Sequence, residues 1–164
     1  MEIRKLTAED AERYFELRLE ALRNDPETFA STLKDTEESP IEKFRDRLES
    51  PSSPTLGLFD NGRLIGNVTV RKETIPKMAH RATVLGMYVT PQKRGNGAGR
   101  MLVDAACALA ADMAAEQVYL AVVSTNEAAK NLYARCGFRV FGIDRHAMKH
   151  DGRYIDEDLM VKFL

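Results

Sequence analysis

The residues Gln92-Lys93-Arg94-Gly95-Asn96-Gly97-Ala98-Gly99-Arg100 hold the densest chemical signal in the sequence. They fall between a run with strand character and an alanine-rich run with helical character. Their amides would therefore gather at the positive end of a helix, where an anion is favoured. Glycine lets the backbone come close to a phosphate, and Arg94 and Arg100 bring full positive charges suited to a pyrophosphate. The same glycines would also serve a flexible strand-to-helix turn that binds nothing. A P-loop requires Gly-Lys-Ser/Thr, whereas Gly99 is followed by Arg100 and Met101, with no hydroxyl for a metal. A dinucleotide fingerprint wants its third glycine one residue later and an acid at the end of the next strand, where this chain has Val122, Val123 and Ser124. Both fit poorly.

The flanking pattern supplies elements to position this turn. Glu2 to Leu6 reads as a strand, and Thr7 as the cap of a helix with Tyr14, Leu17, Ala21 and Leu22 on its apolar face, stopped by Asn24-Asp25-Pro26. Ser39-Pro40 with Glu42 predicts a second, capping-box helix carrying Ile41, Phe44 and Leu48. Ser50 to Pro54 is a loop. Thr55–Asp60 and Arg63–Lys72 read as a hairpin turning at Asn61-Gly62. Arg81–Val89 is β-rich, and Gly86 within it predicts a bulge or a close backbone approach.

From Gly97 to near Glu116 the spacing of Met101, Leu102, Ala105, Ala106, Leu109 and Met113 predicts a helix facing a sheet. Gln117–Ser124 is strand again, which makes the two strands around that helix a parallel pair. Asn126 to Cys136 reads as a short helix ended by Gly137. Phe138 to His150 and Arg153 to Phe163 read as a last hairpin turning at Asp151-Gly152. The fold class is α/β: one domain over residues 1–164, a mixed sheet with helices on its faces.

Composition excludes several classes of function. The 24 Lys and Arg nearly cancel the 25 Asp and Glu, so no net field draws the chain to nucleic acid or to an anionic membrane. No run is apolar enough for a leader or a membrane span, which predicts a cytoplasmic protein. Cys107 and Cys136 read as buried structural thiols, and no metal is expected.

Gln92-x-x-Gly95-x-Gly97 resembles the pyrophosphate-binding motif of the GNAT acetyltransferases. Asn126, Ala129, Leu132-Tyr133 and Gly137-Phe138 match, at the same spacing, the pattern that follows that family's next strand. Glu20-Ala21-Leu22, Pro26-Glu27-Thr28-Phe29 and Asp151-Gly152-Arg153-Tyr154-Ile155-Asp156 also resemble family segments, so the similarity covers nearly the whole chain. The resemblance implies about seven mostly antiparallel strands, with a central parallel pair splayed for coenzyme A, and about four helices. It implies acetyl-CoA as co-substrate, an amine acceptor and, from the family's habits, a homodimer.

Residue by residue, it implies that the Met87-Tyr88-Val89 backbone holds the pantetheine arm, with Met87 and Val89 making the hydrogen bonds. The amides of Arg94, Gly95, Asn96, Gly97, Ala98, Gly99 and Arg100 would hold the pyrophosphate, and Asn126 would contact the pantetheine. Tyr133 would sit near the sulfur. Amine attack on a thioester must expel a thiolate, and a phenol there can act as general acid. By helical position alone Tyr133 reads as a core tyrosine. Amides near Met87 would face the oxyanion.

Many members carry a glutamate on the strand before the turn, yet Arg81–Val89 has no carboxylate. His80, Glu37, Glu38 or an ordered water remain open as the base, and Cys136 offers a less favoured covalent route. Asp35, Glu37 and Glu38 fall where the family shapes its acceptor pocket, and they read equally well as a solvated loop. The favoured acceptor is a small-molecule amine. The rivals are a protein or peptide amine and a non-catalytic acyl-CoA-binding module.

Overall fold

A computed structural model describes all residues 1–164. Seven strands form one sheet in the order β1-β2-β3-β4-β5-β7-β6. They are β1 (Glu2–Lys5), β2 (Thr55–Asp60), β3 (Arg63–Lys72), β4 (Arg81–Val89), β5 (Gln117–Val123), β6 (Arg139–His150) and β7 (Arg153–Phe163). Only β4 and β5 run parallel. The helices are α1 (Ala11–Asn24), α2 (Leu33–Glu37), α3 (Ile41–Leu48), α4 (Ala98–Asp112) and α5 (Glu127–Arg135). Both predicted hairpins turn where expected: Asn61-Gly62 and Asp151-Gly152 take positive φ at both positions, the geometry a two-residue turn requires.

Alternation along the strands sends apolar side chains to both faces, and each face has its own core. Val68, Val70, Val84, Val118, Leu120 and their neighbours pack under α4 and α5. Leu6, Phe59, Leu64 and Tyr88 pack under α1 and α3 with Tyr14, Leu17 and Phe44. No helix is long and apolar enough to cross a membrane.

Three local expectations are corrected. Ser39 donates its hydroxyl to the Asp35 carbonyl at 2.7 Å instead of capping α3, and Pro40 stands one position before that helix with no capping-box contact. Asp35 and Glu37 lie on α2, a short helix the sequence reading missed because its cap, Thr32, precedes only five helical residues. Finally, α4 ends at Asp112, not near Glu116. Ala114 takes φ 59° and the Ala115 amide returns to the Ala110 carbonyl, closing the helix through a left-handed residue that is not glycine and so leaves no sequence signal.

Candidate active site

Strands β4 and β5 pair only through Arg81–Gln117, Ala82–Val118 and Thr83–Tyr119. Beyond that point β4 stays on β3 as far as Val89, while β5 stays on β7 as far as Val123. The two parallel strands therefore separate, leaving backbone groups of each facing a cleft. A bulge causes the split. Against β3, the register jumps from Tyr88 opposite Asn67 to Leu85 opposite Thr69, so β4 holds one extra residue. Gly86 absorbs it at φ +62°. Asn67, fully buried, donates its side-chain amide to the Gly86 carbonyl at 2.8 Å and replaces the ladder bond the bulge removes.

Asn67→Asp should therefore be destabilising in a pH-dependent way. The ionised side chain has no donor for Gly86 and sits in a dry site, so its folded-state pKa is raised. Stability should be highest at low pH, where the acid is protonated, and should fall as pH rises above about 4 by ~1.4 kcal/mol for each unit of elevation. Melting at pH 5 and 7.5 reads this directly. A Tm deficit against the parent protein that is the same at both would exclude it.

At the open end of the cleft lies the glycine turn. A 3-10 turn, Pro91–Lys93, leads into it, Gly95 and Gly97 take φ of +79° and +82°, and α4 starts directly after Gly97. The amides of Gly95, Asn96, Gly97, Ala98, Gly99 and Arg100 donate to no acceptor of the chain, whereas the Arg94 amide, expected among them, closes the 3-10 turn by donating to the Pro91 carbonyl at 3.2 Å. A row of free donors at a helix N-terminus is an anion site without further assistance. Gly99 has a separate reason to be glycine: a Cβ there would lie 2.9 Å from the Leu132 side chain of α5.

Of the two arginines, Arg94 is already engaged. Its Nε donates to the Val89 carbonyl at 2.8 Å and its guanidinium pairs with Asp25 at 2.5 Å. Arg100 is exposed and lies 3.4 Å from Asp104. Amides, rather than arginine charge, thus dominate the turn. The side chain of Tyr88 is buried towards α1, where its hydroxyl meets Asn24 at 2.9 Å and Glu20 at 3.0 Å, so only its backbone can face the cleft. Thr90 also donates to Glu20. Glu20, Asn24 and Asp25 at the end of α1 together moor the end of β4 and the turn.

On the α4 and α5 face, Asn126 caps α5 by accepting from the Ala129 amide at 3.1 Å, and Gly137 ends the helix region at φ +92°. Lys130 pairs with the buried Asp158 at 3.1 Å, and Ser124 donates to the same carboxylate at 2.6 Å, fixing α5 to the ends of β5 and β7. Tyr133 is brought beside β4, its hydroxyl 3.5 Å from the Met87 sulfur and its ring edge-on to Phe138. Burial pushes its phenol up to about 12, so it stays protonated at any ordinary pH. Cys136 is buried and its thiol is likewise pushed up by burial, the opposite of an activated nucleophile. No group of three or more His, Cys, Asp or Glu gathers as a metal site.

The base candidates fare unevenly. His80 precedes the closed end of the β4–β5 pair, where its carbonyl accepts from Glu116 and Gln117, away from the cleft. Glu37 and Glu38 are exposed, and Glu37 pairs with Arg23 at 3.2 Å. Glu157, outside every sequence motif named above, is a further candidate. It stands on β7 opposite Val123, level with the open end of the split and on the face turned away from α4 and α5. Burial, and then the neighbouring Asp144, raise its carboxyl above the usual range. The available signal was Glu157 within the alternation of the last strand, but pairing with β5 is a tertiary fact.

A cavity of about 700 Å³ opens on the β3 side of the turn, lined by Glu20, Asp60, Arg63 and Lys93 among others. Its charges pair internally, Lys93 with Asp60 at 2.5 Å and Arg63 with Glu20 at 3.9 Å. Its lining is a solvated ion-pair network, whereas the β4–β5 cleft opens onto the free amides of the turn.

The sheet thus splits at its one parallel pair, with a turn of free amide donors suited to an anionic ligand at the mouth of the cleft. The acetyltransferase (GNAT) family pattern matches residues 12–138, and the chain belongs to that family. An uncharacterized N-acetyltransferase of Mycobacterium tuberculosis is 28% identical over 115 residues, covering 69% of this chain and 71% of the relative. The fold is shared with the ribosomal-protein-alanine N-acetyltransferase of Brucella melitensis (TM-score 0.87, 22% identity, 100% of both chains). It is shared too with yncA of Salmonella typhimurium, solved with its cofactor acetyl-CoA (TM-score 0.84, 21% identity, 100% of this chain and 94% of that one). The chain is thus an acyltransferase that uses acetyl-CoA.

Proposed function

We propose that the protein transfers acetyl from acetyl-CoA directly to the primary amine of a small molecule. The observation that carries this is the split between β4 and β5, with free amides at its mouth and a protonated phenol beside it. Backbone groups of Met87 and Val89 line the pantetheine path, the amides from Gly95 to Arg100 take the pyrophosphate, and Asn126 stands at the α5 end. The amine approaches from the opposite face. There the turn Pro26–Thr28 contacts β5 and narrows the approach, which suits a small acceptor better than an extended peptide.

In the reaction the amine nitrogen attacks the acetyl carbon, the C–S bond breaks and the thiolate leaves. Tyr133 donates to the departing sulfur from one side of the sheet. Glu157, on the other side, takes the proton the amine gives up, directly or through one water. The carbonyl oxygen, which gains charge, meets strand amides near Met87.

Glu157→Gln should lower kcat by about 10²-fold or more. In the parent enzyme kcat/KM should fall as pH drops through the raised Glu157 value, because only the ionised carboxylate accepts a proton, and this acid limb should vanish in the variant. Thiol release against small amines and peptides, followed from pH 5 to 9, reads both. Retention of the limb in the variant would remove Glu157 from the mechanism, and turnover on peptides alone would overturn the small-molecule acceptor.

A further inference from the structure

The buried face of α1 carries a cation without a counterion. Arg18 is 6% exposed, its Nη1 is enclosed with no acceptor, and it takes part in none of the chain's ion pairs. Its surroundings compensate only through the face of the Phe29 ring, 4.6 Å from the guanidinium, and supply no anion. Burial depresses its pKa, Tyr14 one turn earlier opposes this, and Arg47 of α3 adds a like charge. Other charges on this side of the sheet are satisfied: Asp10 by Arg4, Glu20 by Tyr88 and Thr90, and Asp25 by Arg94. A buried cation left unpaired is among the most costly features a fold can keep, so an anion is the missing partner.

The position says which anion. The Phe29 ring lies 4.6 Å from the Arg18 guanidinium and meets Tyr88 edge-on at 6.4 Å. Tyr88 stands between Met87 and Val89 on β4, and the turn just before Phe29 touches β5. Arg18 is therefore one aromatic ring behind the amine's side of the cleft, with the exposed Arg47 as a second positive charge beside it. Phe29 is only half-buried, and its ring must turn aside for a carboxylate to reach the guanidinium. A guanidinium matches a carboxylate through two parallel hydrogen bonds, and a singly charged group brings less desolvation into so enclosed a site than a phosphate dianion would.

We propose that Arg18, assisted by Arg47, binds a carboxylate carried by the acceptor, so that the substrate is an amino acid or a similar amine-carboxylate rather than a polyamine or neutral amine. This rests on the acetyl-transfer reading above. It predicts discrimination built on a buried charge, which leaves the guanidinium unpaired when the carboxylate is missing.

The experiment measures kcat/KM for amino acids, including 4-aminobutyrate, each beside its carboxamide, with the parent protein, Arg18→Met and Arg18→Lys. The parent should prefer the acid of the best pair by about 10²-fold or more. That ratio should fall to within about threefold in Arg18→Met and to an intermediate value in Arg18→Lys, with melting in acetyl-CoA confirming that the variants are folded. Equal use of acids and amides by the parent, or an unchanged ratio in both variants, would overturn the proposal.

Two further arms separate the sources of failure. N-acetylated amino acids, which carry the carboxylate but no free amine, should raise the Tm of the parent and not of Arg18→Met. If no amine turns over, the acetyl-transfer reading fails and this arm alone decides: Arg18-dependent stabilisation supports the carboxylate site, and its absence overturns it.

Discussion

Replacing Tyr133 with phenylalanine is expected to lower kcat by about 10²-fold while leaving acetyl-CoA affinity nearly unchanged. The hydroxyl touches only the Met87 sulfur, at 3.5 Å, so its removal costs the core almost nothing. The magnitude follows from acidity. Burial holds the phenol at about 12, against about 8.5 for an ordinary thiol, so complete proton transfer to a thiolate would be uphill by on the order of 5 kcal/mol. In the proposed reaction Tyr133 would therefore act chiefly as a hydrogen-bond donor to the sulfur as the C–S bond breaks, which places the expected loss at the low end of the acid-catalysis range. Its protonation also means that no alkaline limb in the rate should come from Tyr133 below about pH 10. Single-turnover rates with saturating acetyl-CoA isolate the step. Lost affinity with intact turnover would make Tyr133 a structural residue.

Gly97→Asp is expected to weaken acetyl-CoA binding about a hundredfold in a protein that still folds. At φ +82° a side chain carries a conformational penalty of about 1–2 kcal/mol, yet a Cβ there meets nothing within 4 Å. Aspartate also tolerates this conformation better than most residues and is favoured at a helix N-cap, the place Gly97 occupies. The fold should therefore lose at most a few degrees of Tm. Binding is different, because a fixed carboxylate among the free amides competes for them and repels the pyrophosphate. An opposed charge of this kind is worth on the order of 3 kcal/mol, or about a hundredfold in Kd. Gly97→Ala separates the two effects, since it adds the backbone penalty without the charge. Calorimetric titration of all three proteins with acetyl-CoA measures this; equal affinities for the aspartate variant and its parent would remove the turn from the cofactor site.

The sheet and its helices were legible wherever local chemistry decides. Asn-Gly and Asp-Gly fixed both hairpins, Gly86 announced the bulge, and Gly95 and Gly97 take the positive φ their type permits. Legibility failed where a non-glycine residue does a glycine's work, as at Ala114, or where a capping serine found another partner, as Ser39 did. On the α4 and α5 side the placement of the candidate site was legible, because turn and helix are each continuous in sequence. The acceptor side was not. The role proposed for Glu157 rests on its register against β5, and that proposed for Arg18 on its packing against the Phe29 ring. In sequence, Arg18 is one more charge on an amphipathic helix; only packing shows that no carboxylate comes near it.

The most direct test of the central claim is thermal melting of the purified protein across a range of acetyl-CoA concentrations. A ligand bound only by the folded state at a hundred times its Kd adds about 2.7 kcal/mol, which for a chain of this size raises Tm by roughly 5 to 10 °C. The account predicts a rise of that order in the parent protein and one of only about 1 °C in Gly97→Asp at the same concentrations. An unmoved melting temperature at saturating acetyl-CoA, or an equal rise in both proteins, would contradict it.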